Sequence, residues 1–129
     1  MDYTKPEAIT EMEKIKALYR WGTWEYGTYI NCGVQIFQYD NFEITISQAH
    51  YAETIKEITV SKERRQRLSD KLTECELGQV RAVLGALQWL GVNTQPWLCS
   101  EISLAKGRET IGDGQLLLDD NKLRGKLDN

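Results

Sequence analysis

"LGALQWLGVNTQPW", residues 84–97, is an apolar run with two glycines and two tryptophans, closed by a proline. Whether it lies wholly inside a protein or lends one side to a surface decides how the chain folds. Thr73 followed by Glu76 forms a capping-box pattern, so a helix is expected from about 74 to 91. A helix turns by about 100° per residue, which gathers Val80, Val83, Leu84, Leu87 and Gly91 into one stripe that must face the core. Ala82, Ala86 and Leu90 flank it, whereas Arg81, Gly85, Gln88, Trp89 and Val92 lie on another side, with Trp89 nearly opposite the stripe. A glycine in a helix interior costs about 1 kcal/mol relative to alanine, so something must compensate at Gly85. One compensation is another helix packed closely on Gly85, with Trp89 in a second contact. The other is a ligand: glycine admits a sugar–phosphate edge, tryptophan supplies a flat apolar face, and Arg81 and Gln88 supply donors.

Working outward, Pro96 allows a second helix from about 97 to 106. Gly107, Gly112 and Gly114 mark a break, and "QLLLDDNKLRGKL" (115–127) reads as a last helix weakened by Gly125. Upstream, residues 6–20 form a helix with Pro6 in its first turn and Ile9, Met12, Ile15 and Tyr19 at helical spacing; Gly22 ends it. Period two then takes over. Val34 and Ile36 alternate on one segment and Phe42, Ile44 and Ile46 on the next, so 28–39 and 42–48 read as a hairpin with Asp40-Asn41 as a two-residue turn. Gly33 interrupts the first strand and suggests a bulge or a close backbone approach. Residues 49–58 suit a short helix, and the basic stretch "SKERRQRLSDK" (61–71) a connection. The fold class is α+β: an N-terminal helix, a β-hairpin, then a small bundle of three to four helices. Two or three strands make a poor sheet alone, so these strands call for a neighbour.

The composition is that of an ordinary soluble protein, with 41% hydrophobic and 27% charged residues. No apolar run reaches a bilayer span and no secretory leader is evident, so no membrane partner is expected and an intracellular location is the default. Cys32, Cys75 and Cys99 are widely spaced and accompanied by one histidine, His50. No metal site is expected from them, and they read as reduced, mostly buried thiols. A net charge of −3 does not suggest a general nucleic-acid binder, although the basic stretch carries enough cations to neutralise a few phosphates.

"QVRAVLGALQWLGVNTQPWLCSEIS" (79–103) resembles a segment of copia-type retrotransposon polyproteins that usually reads R-x-x-x-G-[SA]-L-x-[YW]-L-x-x-x-T-R-P-D-[IL]. "NCGVQIFQYDNFEITISQAHYAETI" (31–55) resembles the same family's F-L-G-[IV]-[EQ]-I … [IL]-S-Q-x-x-Y-[IVA]-x-x-[IL]. The two stand in the family's order at about its spacing, and the likeness covers roughly residues 12–127. It implies a fragment of a right-hand polymerase, downstream of the reverse transcriptase active site. Residues 1–48 would be the end of the palm with a primer-grip-like hairpin, 49–107 thumb-like helices, and 108–129 a C-terminal helix toward a connection region. Cys32 and Gly33 would lie near the primer end. Arg81, Gly85, Gln88 and Trp89 would track the minor groove of a primer–template duplex, the partner implied along with the missing fingers and palm of the polyprotein.

The resemblance has departures. The family's T-R-P-D reads Thr94-Gln95-Pro96-Trp97, so contacts made by its arginine and aspartate are lost. Its catalytic Y-x-D-D strand would fall before Met1, so the chain alone is expected to be inactive. No catalytic residue is assigned and no cofactor is expected in this chain; magnesium would belong to the missing catalytic palm. "LLDD" (117–120) matches that motif only superficially. It sits in a helix-like run, and Asp119 and Asp120 read as a solvated helix face. The alternative is a small non-catalytic protein-interaction module using the Gly85/Trp89 face. An independent enzyme has little support, since His50 sits beside Tyr51 with no nucleophile in view.

Overall fold

The computed structural model describes residues 4–109 and 112–127. Residues 1–3, residues 110–111 within the glycine-marked break, and residues 128–129 lie outside the described residues. Nine elements are used below: α1 (Pro6–Leu18), β1 (Thr28–Asn31), β2 (Val34–Gln38), β3 (Ile44–Ser47), α2 (Ala49–Thr54), α3 (Lys62–Arg65), α4 (Glu74–Asn93), α5 (Cys99–Gly107) and α6 (Gln115–Gly125), with a short 3-10 turn at Pro96–Leu98. The expected α+β layout is present.

α4 is the axis of the helical part. Thr73 accepts from the Glu76 backbone N–H while the Glu76 carboxylate accepts from that of Thr73, so the expected capping box is closed from both sides. Thr73→Ala should cost about 1 kcal/mol, read as a lowered urea midpoint at unchanged slope. The expected stripe is the buried one: Val80, Val83, Leu84, Leu87 and Gly91 are all buried, with Leu90 added from its flank. Ile55 and Ile58, Leu98 and Ile102, and Leu116, Leu117 and Leu123 complete one continuous apolar cluster. A Cβ on Gly91 would lie 3.0 Å from Cys99 Sγ and 3.5 Å from Ile102 Cδ1. Close helix packing therefore explains Gly91, where α5 crosses α4.

Two expectations about the strands change. Residues 28–39 are not one strand. Cys32 (φ 51) and Gly33 (φ 79) form a tight two-residue turn, pairing Asn31 with Val34 and Tyr29 with Ile36. Two successive left-handed residues match the twist of a hairpin, so Gly33 serves a turn rather than a bulge. Asp40-Asn41 does lie between two strands, but in a longer connection with Phe42 at φ 67, and Gln38 pairs with Ile44. The sheet is antiparallel in the order β1-β2-β3. Its register places Tyr29, Val34, Ile36, Ile44 and Ile46 on one face. Val34 at the turn end of that face is buried, but Ile44 is 61% and Ile46 53% exposed, so among the described residues the β3 side of that face lacks the neighbour its composition calls for.

α1 ends at Leu18, before Gly22, and carries no buried residue. Its apolar positions, Ile9 and Ile15 among them, do not reach the core. It is tied instead to the following aromatic segment. Lys16 Nζ lies 4.4 Å from the Trp24 ring centroid and 3.1 Å from the Tyr26 hydroxyl, Trp21 donates to the Ile15 carbonyl at 3.1 Å, and Trp21 meets Trp24 edge-on at 5.3 Å.

The basic stretch is more ordered than a bare connection. Ser61 caps α3. Arg64 donates to Glu76 at 2.7 Å and to the backbone carbonyls of Arg67, Asp70 and Lys71. The paired hydrogen bond raises the Arg64 pKa and lowers that of Glu76. Arg64 is thereby a staple between the stretch and the start of α4, and its charge is already matched within the chain. The cysteines also depart from expectation: all are free thiols, but Cys32 and Cys75 are exposed and only Cys99 is partly buried.

Candidate nucleic-acid interface

The outward side of α4 is bounded by two sets of tethers. On one flank Arg81 donates to Glu109 at 3.1 Å, and Gln88 accepts from Lys106. Both partners belong to the last turn of α5 or the residues after it. On the other flank the Trp89 indole N–H donates to the Cys32 carbonyl at 3.0 Å. Helix geometry puts Gly85 between them, within roughly 60° of Gln88 and of Trp89. Among the described residues, apart from its own stretch of helix backbone, nothing lies within 4 Å of where a Gly85 Cβ would be. Gly85 is thus the open floor of a furrow walled by the α5 end and by the β1–β2 turn. Close packing by another helix, one of the two compensations considered for this glycine, is not what occupies the position.

The wall at the hairpin is firmly built. A Cβ on Gly33 would stand 2.9 Å from Tyr51 Cδ2, so the α2 ring lies against the turn backbone. Val34, the first residue after the turn, is buried. One step further, Thr94 at the end of α4 donates to Gln48 Oε1 at 2.8 Å, and Gln48 is itself buried. The left-handed backbone at 32–33 also aims the Cys32 carbonyl outward from its strand, where it is free to accept from Trp89 rather than from a sheet neighbour.

Of the six residues singled out from sequence, Cys32, Gly33 and Trp89 come together and Gly85 adjoins them. Arg81 and Gln88 lie on the same helix side but are engaged by α5. Arg81 retains substantial exposure, its side chain 62% accessible, so its remaining N–H groups face solvent. Trp89 is 38% exposed, leaving part of its ring open. Tyr51, Gln48 and Thr94 were not singled out. They lie inside the two motifs quoted above, but nothing in their local spacing shows that they meet.

Compared with protein-family models, with curated proteins and with solved structures, the chain matches none.

Among the described residues no group of three or more His, Cys, Asp or Glu side chains is gathered for a metal ion. Asp119 and Asp120 do not converge on a common point: Asp119 is bound by Arg108 at 3.0 Å and by Gln115 at 3.1 Å, whereas Asp120 is 0% exposed. The second finding corrects the expectation of a solvated pair. No helix among the described residues is long and apolar enough to cross a membrane.

Proposed function

We propose that this chain is the end of the palm and the thumb of a copia-type reverse transcriptase, and that it holds a primer–template duplex without performing phosphoryl transfer itself. The observation that carries the reading is the Trp89–Cys32 hydrogen bond beside an unfilled Gly85. It joins two segments 57 residues apart, each of which resembles the same family. The Gln48–Thr94 contact joins them a second time. A hybrid duplex has a wide, shallow minor groove that a smooth helix side can approach, and glycine permits the closest approach. Contacts to groove and phosphate carry little sequence information, which suits a protein that must hold any duplex.

The test is fluorescence anisotropy of a labelled RNA–DNA hybrid with a recessed 3′ end, titrated with the full chain from 50 to 200 mM salt. Affinity should fall with salt by a log–log slope of about −0.7 to −0.9 per phosphate contacted. Gly85→Leu, which fills the furrow floor without touching the core, should weaken binding about tenfold or more, a loss of about 1.4 kcal/mol. Absence of detectable duplex binding at 50 mM salt sinks the proposal.

A second reading is favoured by one observation. Ile44 and Ile46 on the sheet, and Val92 and Trp97 at the end of α4 and just beyond it, are large apolar side chains left exposed, as a protein-docking surface requires. On this reading the chain is a protein-interaction module whose Gly85/Trp89 face docks another subunit, and duplex affinity is nil at every salt concentration.

A further inference from the structure

A second cluster of charges lies where α5 ends and α6 packs back onto α4. Two of its three carboxylates have partners: Glu109 is held by Arg81 at 3.1 Å, and Asp119 by Arg108 at 3.0 Å. The third, Asp120, is 0% exposed, and among the described residues neither carboxylate oxygen has a hydrogen-bond partner. It sits on the helix side that also buries Leu116, Leu117 and Leu123. The cations of α6 and its C-cap are placed elsewhere: Arg124 donates to the Ile55 carbonyl and Glu57, Lys126 to Glu101, and Lys122 is exposed. An ionised carboxylate in this position would be both desolvated and unpaired, which is far costlier than the neutral acid.

We propose that α6 docks against α4 and α5 with Asp120 as a neutral carboxylic acid, so that undocking releases one proton and docking weakens as pH rises. No bond is made or broken apart from that O–H, and the proton passes to solvent. The groups acting on Asp120 agree with this. Burial is the largest influence, and the negative charges of Asp119 on α6 and Glu109 beyond α5 act in the same direction. Arg108 opposes them, and the pKa rises from 3.8 to about 7. On α4, Arg81 is committed to Glu109 at 3.1 Å. Through Arg81 the cluster also reaches the outward side of α4.

The sign follows from the shift. A group whose docked pKa is raised stabilises docking fully below its undocked value of 3.8. That stabilisation is lost progressively up to about 7 and changes no further above it. For one proton, the α6 opening constant rises about tenfold per pH unit inside that window. Hydrogen exchange of the α6 amides in the full chain reads this directly, once corrected for the intrinsic pH dependence of exchange. Protection over Gln115–Gly125 should fall about tenfold per unit between pH 5 and 6.5 and level off above 7. In Asp120→Asn and Asp120→Leu the slope should vanish, and in Asp119→Asn the levelling-off should move to lower pH. The proposal is overturned if wild-type protection is flat over pH 5–7, or if the slope persists in either Asp120 variant. Should neither variant fold, the wild-type profile decides alone.

Discussion

Leu87→Ala should lower the unfolding free energy by about 2–5 kcal/mol. Leu87 is 0% exposed and lies in the middle of the α4 stripe, where the apolar cluster from α5, α6 and the 55–58 segment surrounds it. Removing its isobutyl group forfeits the transfer free energy of those carbons. It also leaves a cavity that two flanking leucines on the same rigid helix cannot close. Domains of this size are stable by about 5–15 kcal/mol, so the variant should be severely weakened. Urea denaturation followed by circular dichroism measures the effect. The control is Val92→Ala, about a turn and a half further along at a residue 68% exposed, which should stay within about 0.5 kcal/mol of wild type. Equal losses at the two sites would mean that α4 is not oriented as described.

Gly33→Val should cost about 2–4 kcal/mol, for two separable reasons. At φ 79 a β-branched residue is strained wherever it stands, and here its Cβ would also be 2.9 Å from the Tyr51 ring. Tyr51→Ala in the same chain should remove the steric part and leave the backbone part, so the two substitutions should be non-additive by about 1–2 kcal/mol. Simple additivity would show that the ring does not bear on the turn. Because the Cys32 carbonyl is the Trp89 acceptor, Gly33→Val should also displace the hairpin wall of the furrow, and any duplex affinity should fall in parallel with Gly85→Leu.

The contrast between Gly91 and Gly85 shows how far local pattern reaches. Both are glycines in the same helix, and each invites the same two explanations. Gly91 is on the core stripe and α5 fills the space over it; Gly85 is on the other side and nothing does. Which side of α4 is buried was legible from the spacing of Val80, Val83, Leu84 and Leu87, because a 3.6-residue period needs no knowledge of the partner. Which glycine is covered depends on where another helix crosses, and spacing carries no such information.

The same division explains the misreadings. Helical spacing along α1 correctly announced a helix. Yet no residue of that helix is buried, because amphipathicity describes a demand for burial rather than its satisfaction. Asp120 looked solvated because two adjacent aspartates normally are. Adjacent helical residues point about 100° apart, so one of the pair can enter the core while Asp119 stays with Arg108.

By itself the sequence determined the helix that organises the molecule, its capped start, its buried stripe and the period-two segments, all of which follow from interactions spanning a few residues. Only the tertiary structure decided that Cys32-Gly33 turns the chain against Trp89, that Gln48 meets Thr94, that Gly85 remains open and that Asp120 is buried with no partner among the described residues. Each of these links residues far apart in the chain, or depends on the space left between elements. Such spaces are set by the packing of the whole core and are written in no single stretch of it.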